Sequence, residues 1–206
     1  MSHPSLDSAL VCARWLLAAL VIGTGPTTHS IGSSAVGRDD IRAEASGRVS
    51  RFEAGDPMHT RRIEAYAERY GIEPRLSRQI YEAAREERVS PALAFGLVRV
   101  ESGFDPSAVS PRGSIGLTQI KPDTARELAP HVRSSDLFRP GLNLRLGFRY
   151  LHSLLERFDQ DVTVALTAYN RGPSHVEDQL ERGRSPGTAF ARKVLRNVEP
   201  GSLATL

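Results

Sequence analysis

The sequence predicts a mainly α fold with little or no β-structure. Apolar residues recur at helical spacing in segment after segment from residue 56 onward. Two of these segments open on a capping residue followed by proline, at Asp56-Pro57 and Ser90-Pro91. No segment shows a convincing strand-like alternation of apolar and polar residues.

The first helix follows Asp56-Pro57. Ile63, Tyr66, Ala67 and Tyr70 fall on one face, and Gly71 can stop it. A second is expected from Pro74 to Arg88, with Leu76, Ile80, Ala83 and Ala84 inward. The third, "PALAFGLVRVES", carries only Arg99 as a strongly polar residue before Glu101. A helix apolar nearly all round is a buried one. Pro122 begins a short helix through Leu128, and a stretch punctuated by proline and glycine follows to Gly141. Asn143 can cap the next helix, on which Phe148, Leu151, Leu155 and Phe158 share a face. Asp161 starts "VTVALTAYN", which Gly172-Pro173 ends. A last helix, about Thr188–Val198, has Phe190, Val194 and Leu195 in phase.

The 206 residues favour one compact domain plus extra segments. Residues 36–55 read as a flexible linker and 56–206 as the domain, its core at about 76–198. Residues 1–35 read as a secretory signal or an anchor. Arg14 precedes an apolar run, Trp15–Ile22, with Ser33-Ser34-Ala35 as a candidate cleavage site. That run is short for a membrane span, Asp7 makes the leading region atypical, and a short buried helix is the alternative. Cys12 is the only cysteine, so neither an internal disulfide nor a cysteine-based metal site can form.

The net charge of +3 comes almost wholly from arginine, since Lys121 and Lys193 are the only lysines. This suits an anionic partner, although a modest charge is more often just a solvated surface. No dense basic run with interleaved aromatics appears, so no nucleic-acid partner is expected.

Glu101 is a candidate to carry chemistry. It falls in phase with Ala94, Leu97 and Val98, so its Cβ projects toward the packed side of its helix. It also stands at the negative end of the helix dipole. Both features disfavour the carboxylate and raise its pKa. A carboxyl that stays protonated near neutral pH can serve as a general acid. Gly103 then ends the helix and leaves room for a ligand. The plainer alternative is a glutamate that turns to solvent or pairs with Arg99 or Arg112.

The surrounding motifs shift that balance. Glu101-Ser102-Gly103-Phe104 resembles the catalytic segment of the soluble lytic transglycosylase family. Ala108-Val109-Ser110, the run Gly113–Gln119 and then Pro122 resemble its second motif. Asn143 and Gly147, before Tyr150-Leu151, resemble a third, and Ala168-Tyr169-Asn170 with Gly172-Pro173 a fourth. The order of these motifs is far more specific than any one of them.

The resemblance implies a lysozyme-like single catalytic domain that uses no metal or cofactor. It implies cleavage of the β-1,4 bond between N-acetylmuramic acid and N-acetylglucosamine in peptidoglycan, with a 1,6-anhydromuramoyl product. Glu101 is then acid and base in turn, and the muramoyl 6-hydroxyl attacks its own C1. Tyr169 is expected to hold Glu101 with its phenol, or to be a core aromatic. Ser110, Gly116, Leu117, Gln119 and Asn170 are expected at the glycan. The plainer readings are a turn cap for Ser110, a turn glycine for Gly116 and a helix end for Asn170. The sequence offers no evident second carboxylate, because Asp105 reads as a turn residue and Asp123 as first-turn helix stabilisation.

Two positions depart from the family. Thr118 stands where methionine is usual, and Phe190 aligns with a tyrosine. The expected setting is the periplasm or cell envelope, by export or tethering, as a monomer on glycan strands. A wall-spanning secretion or conjugation machine is a candidate recruiter. The rival readings are a muramidase-type hydrolase of the same bond and a non-catalytic wall-binding scaffold.

Overall fold

The computed structural model describes residues 56–198. The signal-like segment, the linker and Cys12 lie outside the described residues, as do residues 199–206. Eight α-helices run through the described part: α1 Pro57–Tyr70, α2 Pro74–Glu86, α3 Pro91–Glu101, α4 Pro122–Leu128, α5 Pro140–Arg157, α6 Val162–Arg171, α7 Pro173–Glu181 and α8 Ala189–Leu195. A 3-10 helix, Ser134–Phe138, precedes α5. There is no strand among the described residues; isolated bridges pair Val109 with Ile115 and Ile115 with Ile120.

The start signals act largely as expected. The Asp56 carboxylate accepts the Met58 N–H at 3.1 Å. The Asp161 carboxylate accepts from Thr163 and Val164 at 2.9 and 3.0 Å. Each satisfies donors that a helix start leaves without partners. At Ser90 only the position is right, because its side chain makes no capping bond to α3.

Two expectations need correction. Asn143 does not cap α5, which begins three residues earlier at Pro140. Its side chain is buried and serves a tertiary purpose described below. Gly172-Pro173 ends α6 as expected, but Pro173 also opens α7, which the sequence reading missed. Proline stops one helix and suits the first turn of the next. Only Val176 of α7 is buried, so the apolar periodicity there is thin.

The long helix α5 is the organiser. It packs against α2, α4, α6 and the 3-10 helix. Helix α3 packs on both α2 and α8. Its residues Ala92–Val98 are all buried, as its composition predicted. At Gly96 a methyl group would lie 3.0 Å from the Val194 carbonyl oxygen, so α3 and α8 meet closely. Leu93, Phe95 and Leu97 join Ile80, Phe148, Leu151 and Leu166 in the main core. Each such side chain contributes about 1.5–3 kcal/mol by leaving water.

A smaller cluster of Ile115, Ile120, Ala125, Leu137 and Leu146 lies apart from it. Its members come from α4, α5, the 3-10 helix and the loop between α3 and α4. That loop therefore has its own apolar anchor.

Candidate active site

Glu101 is the last residue of α3 and is half-buried. No hydrogen bond or ion pair reaches its carboxyl among the described residues. Neither Arg99 nor Arg112 pairs with it. Burial pushes its pKa up to about 7. The direction agrees with the sequence reading, and of the two causes it named, burial is the one at work. Two residues on, Gly103 is exposed with φ 61°, and nothing lies within 4 Å of where its Cβ would be. The chain turns there, and the space beside Gly103 is open.

Ser102 ties the end of α3 to the facing loop. Its hydroxyl donates to the Leu117 carbonyl at 2.9 Å. The loop is closed by its own bonds. The Ser110 N–H donates to the Ser114 carbonyl, and the Ser110 Oγ accepts the Ser114 N–H at 3.0 Å. The Gln119 amide donates to the Ala108 and Gly116 carbonyls at 3.1 and 3.0 Å. These bonds hold Gln119 in a left-handed conformation, φ 47°, that few non-glycine residues adopt.

Several predicted contacts therefore change character. The donors of Gln119 are spent inside the loop, which leaves only its side-chain carbonyl for a sugar. Ser110 caps its turn and keeps its hydroxyl proton for a ligand. Leu117 is fully buried in the main core, so its side chain presents no surface to glycan. Gly116 is buried too, and the close approach it permits is to Asn143, not to a ligand. Asn170, at the end of α6, is exposed as a contact residue must be.

Tyr169 lies in the last turn of α6. Its phenol does not donate to Glu101; it donates to the Thr118 carbonyl at 2.9 Å. It is nevertheless close enough that the Glu101 charge helps raise the phenol's pKa well above normal, after burial as the main cause. The Tyr150 ring packs beside it, with centroids 5.3 Å apart.

Beneath Thr118 sits the residue misread as a cap. Asn143 Oδ1 accepts the Thr118 N–H at 2.9 Å and the Thr118 hydroxyl at 2.8 Å. Its Nδ2 donates to the carbonyls of Ile115 and Leu137 at 2.8 and 2.9 Å. The sequence reading gave Ser102 and Thr118 no role and Asn143 the wrong one. The signals were motif membership for Ser102 and Asn143 and the departure from methionine at Thr118.

The two acidic neighbours stay away from this work. Asp105 is exposed, and bonds from Ser107 hold its pKa low. Asp123 is exposed and pairs with Arg126. No group of three or more His, Cys, Asp or Glu residues is placed to hold a metal among the described residues. A cavity of about 470 Å³ lies elsewhere, between α1, α2 and the start of α3, and includes Arg62 and Arg85. No predicted site residue lines it. Tyr66, Arg69, Tyr70 and Ser90 in its wall are engaged in further interactions.

Residues 78–189, just over half of the chain, match the family model described as the transglycosylase SLT domain. The chain belongs to this family. Its SLT domain is 32% identical over 118 residues to the soluble lytic murein transglycosylase of Salmonella typhimurium, covering 53% of this chain and 18% of that one. It is 35% identical over 120 residues to membrane-bound lytic murein transglycosylase F 1 of Alkalilimnicola ehrlichii, covering 55% and 24%. The chain thus spans about a fifth to a quarter of the length of these two relatives.

The 70 kDa soluble lytic transglycosylase of Escherichia coli superposes with a TM-score of 0.50 at 24% identity, over 58% of this chain and 22% of that one. Its complex with bulgecin A gives 0.53 over the same shares. At that identity the likeness concerns the fold, which is the mainly α, lysozyme-like one expected.

Proposed function

We propose that this chain is a peptidoglycan lytic transglycosylase. The observation that carries the reading is Glu101, an unpartnered, half-buried carboxyl beside an open glycine turn, with a pKa near 7. At neutral pH such a group is present both as an acid and as a base. In the first step its proton passes to the glycosidic oxygen as the bond to C1 of the muramoyl sugar breaks. In the second, the carboxylate takes the proton of the muramoyl 6-hydroxyl as that oxygen bonds to C1. Glu101 is restored, and the product is a 1,6-anhydro sugar formed without consuming water.

Among the described residues, neither Asp105 nor Asp123 is suited to act as a second carboxylate, which supports this over hydrolysis. An ordinary glycosidase needs one, spaced for a water or a covalent intermediate. Asp105 and Asp123 are exposed and already engaged. An attacking group carried by the substrate also gains the rate advantage of an intramolecular reaction. Tyr169 belongs with Glu101, while the Ser110 hydroxyl, the Gln119 carbonyl and Asn170 are the groups offered to glycan.

The same reading places the protein at its substrate, in the periplasm or cell envelope, delivered or tethered by residues 1–35. Among the described residues no helix is long and apolar enough to cross a membrane. It acts as a monomer on glycan strands, and a wall-spanning secretion or conjugation machine is the partner to test for recruitment.

Mass spectrometry of digested peptidoglycan decides between the reactions. Anhydro-muropeptides, one water lighter than hydrolysed ones, are expected. Products with only reducing ends would replace this reading with a muramidase. The pH profile gives a further prediction. Because the free enzyme needs Glu101 protonated, kcat/KM should be flat below about pH 7 and fall about tenfold per unit above it. A descending limb centred near pH 5 would remove Glu101 from the acid's role.

A further inference from the structure

We infer that Asn143 and Thr118 are positioning residues for the Glu101–Tyr169 pair, fixing the direction in which the Tyr169 phenol points its single proton. The consequence for catalysis rests on the proposed function, but the arrangement itself does not.

A buried amide with all its bonds made is a rigid object. Asn143 uses both protons and its oxygen on two separate pieces of chain: the loop at Ile115 and Thr118, and the 3-10 helix at Leu137. The Thr118 hydroxyl adds a second bond to the same Oδ1. Glycines close the space around them. A methyl group on Gly147 would sit 2.3 Å from the Thr118 Oγ1, and one on Gly116 2.4 Å from the Asn143 Nδ2. The peptide of Thr118 therefore has little freedom, and its carbonyl is aimed at Tyr169.

A phenol has one proton to give. With that proton committed to the Thr118 carbonyl, Tyr169 can offer Glu101 only an oxygen lone pair. A lone pair accepts from the neutral carboxylic acid and repels the carboxylate. Were the proton free to turn, it would stabilise the carboxylate instead and lower the pKa of Glu101. The network thus keeps the acid ready, together with burial. The titratable groups around this pair are few. The Glu101 charge acts on Tyr169, Tyr150 flanks Tyr169, and Glu127 and Arg157 act on Tyr150.

The test reads the Glu101 carboxyl carbon by NMR titration of the intact chain, independently of turnover. Thr118→Val keeps the shape and removes the hydroxyl, and Asn143→Asp sets an acceptor against two carbonyls. Each should lower the Glu101 midpoint, by about one unit for the larger change. Thr118→Ser should leave it in place. In a Tyr169→Phe background, Thr118→Val should no longer move it, because no phenol proton remains to turn. An unmoved midpoint in folded Thr118→Val overturns the inference, as does an equal shift with Tyr169→Phe present. If Asn143→Asp does not fold, Thr118→Val decides alone. A wild type that titrates as described but leaves peptidoglycan intact supports the positioning and sinks the proposed reaction.

Discussion

Glu101→Gln should lower peptidoglycan cleavage by about 10³-fold or more, the upper range for losing a general acid–base group. Gln matches the shape of Glu but can neither give nor take the proton. KM should change little, because the loss falls on the transition state. Initial rates of anhydro-muropeptide release, measured for both proteins at pH 6, check this. A Glu101→Gln protein with wild-type rates would end the assignment.

The same substitution has an opposite effect on stability. Folding raises the Glu101 pKa from 4.5 to about 7. The folded state therefore holds the proton more tightly than the unfolded one. Wild-type stability is full below about pH 4.5, falls as pH rises toward 7, and has lost this contribution above 7. A shift of that size corresponds to something on the order of 3 kcal/mol. Glu101→Gln has no such dependence. Its Tm should match the wild type near pH 4 and exceed it near pH 8. Function lost together with stability gained above pH 7 is the signature of a carboxyl kept for chemistry. Equal Tm values at both pH values would mean that Glu101 is not buried as described.

The sequence made the helices legible where their signals are local. Asp56, Asp161, Gly71 and the prolines act through neighbours in the chain, and the buried face of α3 follows from composition. Glu101 was legible for the same reason, since its burial and its place at a helix end are both read from adjacent residues. What lay hidden was every bond across distance. Asn143 looks like a cap in its own segment, yet its partners lie 25 and 28 residues earlier in the loop. Tyr169 finds the Thr118 carbonyl 51 residues away. No pattern of residue types announces a side chain that bonds to a backbone carbonyl. Motif membership likewise could not tell Gly116 and Leu117, which build the loop, from Ser110 and Asn170, which have groups left to offer.

Gly113 and Gly116 allow that distinction to be measured. Both adopt left-handed backbone, with φ of 78° and 75°. An alanine pays about 1–2 kcal/mol for that conformation at either place. Only their surroundings differ. Nothing lies within 4 Å of a Cβ built on Gly113, whereas on Gly116 it would meet the Asn143 amide at 2.4 Å and the Leu137 carbonyl oxygen at 2.8 Å. The carbonyl is backbone and cannot swing aside. Gly113→Ala should therefore cost about 1 kcal/mol and leave cleavage nearly intact. Gly116→Ala should cost about 3–5 kcal/mol, as overpacking adds to the backbone strain. It should also weaken cleavage in the molecules that stay folded, because Asn143 is the first thing displaced, and Thr118 and Tyr169 hang from it. Urea unfolding of both variants, with rates corrected for the folded fraction, checks the pair. Equal costs at the two glycines would mean that Asn143 yields easily, and a support that yields easily could not hold the Thr118 carbonyl in place.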